Sequence, residues 1–215
     1  MFTGIITGIG HITQVTPLGS DEQHGVRVRL LTPPGYLADA RHGDSIAING
    51  ACMTLTIFDP QEGWLTVDVS AESLARTTGF DQTGPVNLEK ALRPQDRLGG
   101  HMVSGHIDGL GHVTRFEPVG ESWELRLQVP HPLARFMAVK GSITIHGVSL
   151  TLNAVNDQPG PEAPCEVRIN LVPHTVQNTT LSQLKPHSAV NVEVDLMARY
   201  CERILSHSKG IKANG

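Results

Sequence analysis

The feature that most constrains this chain is that it repeats itself. Residues 4 to 13, GIITGIGHIT, fall on residues 105 to 114, GHIDGLGHVT, which sets Gly4, Gly8, Gly10, His11 and Thr13 against Gly105, Gly109, Gly111, His112 and Thr114. SIAINGACMTLT from Ser45 falls on SITIHGVSLTLN from Ser142, placing Gly50 on Gly147, Cys52 on Ser149 and Thr54 on Thr151. DVSAESLARTT from Asp68 falls on NLVPHTVQNTT from Asn170, and VNLE from Val86 falls on VNVE from Val190. Blocks recurring in one order at offsets of about one hundred residues mark a tandem duplication. The fold must therefore be one unit of roughly 100 residues made twice, a size at which each copy can still bury its own core.

The blocks alternate apolar and polar residues, as in Ser45-Ile46-Ala47-Ile48-Asn49 and Ser142-Ile143-Thr144-Ile145-His146. That period of two predicts half-buried strands. Turn clusters such as Asn156-Asp157-Gln158-Pro159-Gly160 separate them at short spacing, which points to compact antiparallel barrels in an all-β fold. Helix is expected only around Glu72 to Arg76, around His131 to Ala138, and in the tail. There, LMARYCERILSHSK puts Leu196, Met197, Tyr200, Cys201, Ile204 and Leu205 on one stripe at helical spacing. The expected organisation is a first barrel over residues 1–97, a second over 98–195, and a helix and tail over 196–215. A stripe with no counterpart in the first copy suits packing on other subunits or on its own barrel.

Composition excludes several classes of function. Apolar residues make up 39% and charged residues 18%, with 22 Gly and 14 Pro, the mixture of a folded, turn-rich protein. A net charge of -4 with scattered Lys and Arg lacks the basic footprint of a nucleic-acid binder. No apolar run approaches the roughly 18 residues of a spanning helix, and the start lacks the charged region of a leader, so a cytoplasmic protein without membrane partners is expected. Cys52, Cys165 and Cys201 are widely spaced, without a CxxC pair, and are expected to be reduced thiols rather than disulfides or zinc ligands. Gly8-x-Gly10 lacks the following helix that a phosphate cradle needs. Each half instead offers strand ends, glycine backbone and a few hydroxyl, amide and thiol groups suited to a polar heterocycle.

MFTGI at Met1, NGACMTLT at Asn49, GGHMVSGHIDG at Gly99, HGVSLTLN at His146, LVPHT at Leu171 and VNVEVDLMARY at Val190 together resemble the riboflavin synthase family, from Met1 to about Arg203. The resemblance implies two six-stranded Greek-key barrels per subunit and a homotrimer. In it, each active site lies between the first barrel of one subunit and the second barrel of its neighbour, with the tail helix forming the trimer. It also implies a dismutation in which two molecules of 6,7-dimethyl-8-ribityllumazine exchange a four-carbon unit. The products are riboflavin and 5-amino-6-ribitylamino-uracil, with no cofactor or metal. Association with lumazine synthase is a further partner to consider. Two rivals share the barrel: a lumazine-binding protein without turnover, which needs only one working pocket, and a flavin-dependent reductase domain, which needs a nicotinamide-binding partner that this sequence lacks.

The resemblance implies catalytic roles for Cys52, as nucleophile or hydrogen-bonding group, for Ser45 as a pocket hydroxyl, for His101 and His106 in proton transfer or orientation, and for Asp195. For Asp195, capping of the tail helix explains the residue equally well. Implied ligand contacts are Gly4, Ile5, Ile6, Cys52, Met53, Thr54, Asp68, Val69, Ser70, Ala71, Glu72 and Ser73 in the first half. In the second they are Gly105, His106, Ile107, Lys140, Val148, Ser149, Leu150, Thr151, Asn170, Leu171, Val172, Pro173, His174 and Thr175, several through backbone. Phe2 and the N-terminus are expected to cover the pocket, and His11 and His112 to preserve the fold. Three departures stand out: Met53 for leucine, His146 for aspartate, and the polar run Val176-Gln177-Asn178.

Overall fold

The computed structural model describes residues 1–21, 23–160 and 162–208. Its strands form two sets that follow the repeat. The first holds β1 (Gly8–Pro17), β2 (Val26–Leu31), β3 (Ser45–Ile48), β4 (Ala51–Thr54), β5 (Ile57–Asp59), β6 (Trp64–Val69) and β7 (Gly84–Lys90), with α1 (Ala71–Arg76) before β7. The second holds β8 (Gly109–Val119), β9 (Ser122–Val129), β10 (Ser142–Ile145), β11 (Val148–Asp157), β12 (Cys165–Leu171) and β13 (Ala189–Val194). Between its strands lie α2 (His131–Ala134), α3 (Pro173–Gln177) and a 3-10 turn over Thr180–Gln183; α4 (Leu196–Ser208) follows.

The second set closes as a barrel in the order β10-β11-β12-β9-β8-β13. The first is a sheet in the order β4-β3-β7-β1-β2-β6-β5, the same ring with one strand broken. Where β11 runs through with a bulge after Leu152, the matching chain is interrupted at Leu55 and Thr56 into β4 and β5. A pair of bulges falls after Ile12 in β1 and after Val113 in β8, again at matched positions. An extra residue bends a strand and increases its twist, which lets short strands curl into a closed wall.

Alternation does the sorting. Cys165, Val167, Ile169 and Leu171 of β12 are buried, while Arg168 and Asn170 between them are exposed. Leu125, Leu127, Ile143 and Ile169 fill the second interior; Ile12, Leu30, Leu65 and Leu88 fill the first. Each such side chain contributes roughly 1.5 to 3 kcal/mol on burial. The helices at Glu72 and His131 are present, although the second ends at Ala134. The sequence reading missed α3 and the 3-10 turn. The proline opening α3 and its repeat match to α1 were the available signals. His11 and His112 are exposed at matched positions on β1 and β8.

The barrels meet at their hairpin turns. Asn49-Gly50 and His146-Gly147 both take positive φ (46° and 85°, 49° and 80°), the two-residue turn that matches strand twist. A Cβ on Gly50 would lie 2.7 Å from the Gly147 nitrogen, and one on Gly147 would lie 2.8 Å from that of Gly50. Around this contact the hydrogen bonds repeat with pseudo-twofold symmetry. The Asn87 amide donates to the His146 carbonyl at 3.0 Å and the Asn191 amide to the Asn49 carbonyl at 3.0 Å. Asn49 Oδ1 accepts from the Asn87 N–H at 2.9 Å, and His146 Nδ1 takes the equivalent bond from the Asn191 N–H at 3.4 Å.

Burial at this contact pushes the His146 imidazole down to about 4. The unfolded chain takes up that proton near 6.5, so between the two values the unfolded state binds more protons and stability falls as pH falls. The stabilisation is complete above about pH 7 and is lost as pH falls, a loss of roughly 3 kcal/mol at most once both states are protonated. His146→Asn, which copies Asn49 and tolerates the same φ, should remove this dependence. Urea titrations of both proteins between pH 7.5 and 4.5 should give a stability difference that shifts in favour of the variant as pH falls; a constant difference would refute the assignment.

Candidate functional site

On the outer face of each barrel, the β3–β4 and β10–β11 hairpins present matched rows. Ser45 pairs with Thr54 and Ala47 with Cys52; Ser142 pairs with Thr151 and Thr144 with Ser149. Cys52 and Ser149 are half-buried, and Thr54 and Thr151 are exposed. Asp68 and Ser70 beside the first row, and Asn170 and Val172 beside the second, also point outward. Met53, Val69, Val148, Leu150 and Leu171 alternate with these and are buried in the barrel interiors, so only their backbone can reach a ligand at the rows.

Each row is crossed by the opening strip of the other repeat. The Ser149 N–H donates to the Gly4 carbonyl at 2.8 Å, and the Cys52 N–H donates to the Gly105 carbonyl at 2.8 Å. Ile6 packs on the second interior and Ile107 on the first. Gly4, Ile5 and Ile6 therefore complete the second cradle, and Gly105, His106 and Ile107 the first, the reverse of their order in sequence. The exchange is sealed by Phe2, which is fully buried with Ala47 and Val103 and touches Cys52 and Ala91. Phe2 and Val103 form a two-way backbone bridge at 2.8 and 3.1 Å. Phe2 thus lies under the strips rather than over a pocket.

The two histidines separate with the strips. His106 is exposed beside the first cradle. His101 joins the second: its Nδ1 lies 2.7 Å from Ser149 Oγ, and its buried Nε2 finds no partner among the described residues. Burial holds the His101 pKa below the usual histidine value, against the opposing charge of Asp195. Asp195 also caps α4, its Oδ1 accepting from the Met197 N–H at 2.8 Å. Ser70 caps α1 through the Ser73 N–H at 3.1 Å. Asp68 is held by Arg27 through two bonds of 2.7 and 2.8 Å, with its pKa lowered by that guanidinium. Asn170 Oδ1 accepts from Ser122 at 2.8 Å. Ala71, Glu72 and Ser73 form the first turn of α1, and Pro173, His174 and Thr175 that of α3, at matched rims of the two cradles.

The flanks differ. Ser45 borders a cavity of about 110 Å³ shared with Asp39, Asp44, Lys90 and Arg93, where Lys90 Nζ donates to Asp39 at 2.7 Å. Val194 takes the place of Lys90 in the second copy. There the distinguishing charge is the exposed Lys140, at φ 70° where the first copy has Gly43. A non-glycine residue in that region costs about 1 to 2 kcal/mol, the kind of strain that accompanies a binding role. Lys140→Gly should accordingly raise stability by about 1 kcal/mol in urea titration; an unchanged midpoint would show that the turn stores no such strain. A polar cavity of about 300 Å³ lined by Asn49, Thr78, His146 and Thr180 lies at the hairpin contact, and neither Cys52 nor Ser149 lines it. All three cysteines are free thiols.

Beyond the second barrel, α4 is tied down by Arg199, which grips Asp108 at 2.6 and 2.7 Å, and by Arg135 on Glu202 at 3.3 Å. Its Met197, Tyr200, Ile204 and Leu205 are more than half exposed. Residues 209–215 of the expected tail lie outside the described residues. Among the described residues, no helix is long and apolar enough to cross a membrane.

Comparison with known proteins agrees with this geometry. The lumazine binding domain matches twice, over residues 3–91 and 104–195. The chain is 41% identical over 207 residues to riboflavin synthase of Photobacterium phosphoreum, covering 95% of this chain and 89% of that one. It is 40% identical over 208 residues to the Mycobacterium tuberculosis H37Rv enzyme, covering 95% and 98%, and 37% identical over 207 residues to that of Bacillus subtilis strain 168, covering 95% and 90%. Among solved structures, LumP complexed with riboflavin superposes with a TM-score of 0.74 at 25% identity, over 90% of this chain and 99% of that one. LumP complexed with 6,7-dimethyl-8-(1'-D-ribityl) lumazine gives a TM-score of 0.73 at 23% identity over the same shares, a likeness of fold. Two matched barrels, two lumazine binding domains and near end-to-end identity of this order place the chain in the riboflavin synthase family.

Proposed function

We propose that the protein is a riboflavin synthase, a transferase that converts two molecules of 6,7-dimethyl-8-ribityllumazine into riboflavin and 5-amino-6-ribitylamino-uracil by moving a four-carbon unit between them. The observation that carries this reading is the presence of two cradles of one design, each with its polar row and each crossed by the other repeat's strip. A protein that only holds a lumazine needs one. Two like reactants that must meet in opposite orientation are served by paired sites, and fixing such an encounter removes as much as about 7 to 11 kcal/mol from a barrier.

In this scheme His101, neutral and bonded to Ser149, offers its free Nε2 to the bound heterocycle in the second cradle, with Asp195 steadying it. Cys52 and Ser45 line the first, with His106 at its rim. The reactive carbanion arises when the 7-methyl group of one lumazine loses a proton, and the heterocycle delocalises it. The working assembly is a homotrimer in which the exposed α4 stripe packs between subunits and each reacting pair sits between a first barrel and a neighbour's second barrel. A cytoplasmic location and association with lumazine synthase follow from the same reading. Incubating the full chain with the lumazine tests it: riboflavin fluorescence should rise steadily to half a mole per mole of substrate. Stoichiometric binding without product would favour a LumP-like binding protein instead. Native mass measurement should give three chains.

A further inference from the structure

Two glutamates outside the cradles tie them together. Glu89 and Glu193, matched in the repeat and buried, stand on β7 and β13 beside the cradle hairpins. Glu89 lies opposite Ala47, which pairs with Cys52; Glu193 lies opposite Thr144, which pairs with Ser149. Neither carboxylate serves its own row. Glu89 accepts from the Thr3 N–H and hydroxyl, both at 2.7 Å, and from the Gly4 N–H at 3.0 Å. Glu193 accepts from the Ser104 N–H at 2.7 Å, the Ser104 hydroxyl at 2.6 Å and the Gly105 N–H at 3.0 Å.

Each strip is thus held on one side by a carboxylate of one barrel and on the other by a backbone N–H in the cradle of the other barrel. The chain of contacts closes on itself: Cys52 to the Gly105 carbonyl, Gly105 N–H to Glu193, Glu193 through Thr144 to Ser149, Ser149 to the Gly4 carbonyl, Gly4 N–H to Glu89, and Glu89 through Ala47 to Cys52. There is little slack in it. A Cβ on Gly4 would lie 2.6 Å from Ser149 Cβ, and one on Gly105 would lie 2.6 Å from Cys52 Cβ. Charge-assisted bonds are short, strong and directional, so these six, four from N–H groups and two from hydroxyls, fix the height of each strip above its row.

We infer that Glu89 and Glu193 are positioning residues acting across the barrels, Glu193 setting the first cradle around Cys52 and Glu89 setting the second around Ser149 and His101. The link between each glutamate and the opposite cradle rests on the contacts alone; only its consequence for turnover rests on the proposed activity. The near-isosteric Glu193→Gln and Glu89→Gln place an amide where two N–H donors now point and should loosen one strip each.

The test reads each cradle separately in the full-length protein. Cys52 alkylation by iodoacetamide, followed by peptide mass mapping to distinguish it from Cys201, should accelerate several-fold in Glu193→Gln and stay unchanged in Glu89→Gln. The His101 imidazole signals in 15N-labelled protein should shift in Glu89→Gln and not in Glu193→Gln. Ser104→Ala and Thr3→Ala, which remove the hydroxyl donor to each carboxylate along with the bond that hydroxyl accepts from the His106 or Ile5 N–H, should reproduce the same pattern more weakly and serve if a glutamine variant fails to fold. Each glutamate affecting the cradle of its own barrel, or both variants affecting both cradles alike, would overturn the inference. With the lumazine as substrate, both glutamine variants should lose about 10- to 100-fold in kcat, the scale of a reactant group displaced by up to about 1 Å. If the crossed pattern appears in a protein that makes no riboflavin, the positioning stands and the activity falls.

Discussion

Gly105→Ala should destabilise the protein by about 3 kcal/mol and abolish more than 99% of its activity, although it adds one methyl group. Two costs combine. Gly105 has φ 81°, where an L side chain costs about 1 to 2 kcal/mol. Its new Cβ would also meet Cys52 Cβ at 2.6 Å and the Phe2 ring at 2.9 Å, in a layer where Phe2 has no room to retreat. Overpacking of that kind costs a further 1 to 3 kcal/mol or so. Gly35→Ala isolates the first cost, because Gly35 has φ 73° and nothing within 4 Å of the added carbon. For a chain of this length the thermal midpoint should fall by about 3 °C in Gly35→Ala and about 10 °C in Gly105→Ala. Equal losses in the two variants would show that the strip does not press on Cys52. Riboflavin formation should survive only in the Gly35 variant.

His101→Gln should reduce kcat by about a hundredfold or more with the fold intact, the scale expected for a lost proton-transfer group. Glutamine keeps the volume and a bond to Ser149 but cannot exchange a proton. The pH profile gives the finer test. Because burial lowers the His101 pKa, the neutral imidazole persists below pH 6.5, and the acidic limb of the kcat/KM profile should lie on the acid side of an ordinary histidine. Asp195 opposes that shift, so Asp195→Asn should move the limb still lower. Asparagine caps helices as well as aspartate does, so α4 should remain in place and the two readings of Asp195 come apart. A limb that does not move in Asp195→Asn would leave Asp195 as a helix cap alone.

Much of this protein was legible as pattern. The duplication gave one unit made twice, and alternation at a period of two with closely spaced turn clusters pointed to an antiparallel barrel in each copy. Asn49-Gly50 between alternating blocks is the strongest short-range hairpin signal, and the match of His146-Gly147 to it carried the same turn to the second copy. The apolar stripe of the tail was equally plain. The clamping glutamates were in view, inside VNLE and VNVE, but only as letters that repeat. A carboxylate shared by two copies in a buried strand needs donors, and nothing local supplies them.

What the sequence determined by itself is correspondence: which residue of one half is the counterpart of which in the other, and therefore one architecture made twice. What only tertiary structure decided is partnership. Equivalence under a repeat is unchanged if the opening strips lie on their own barrels or on each other's, because the match relates positions and is silent about contacts. The choice was made by a buried Phe2–Val103 bridge and by N–H donors that reach carboxylates 85 to 89 residues away. Those are interactions between distant segments, and they become energetic facts only when the barrels are brought together.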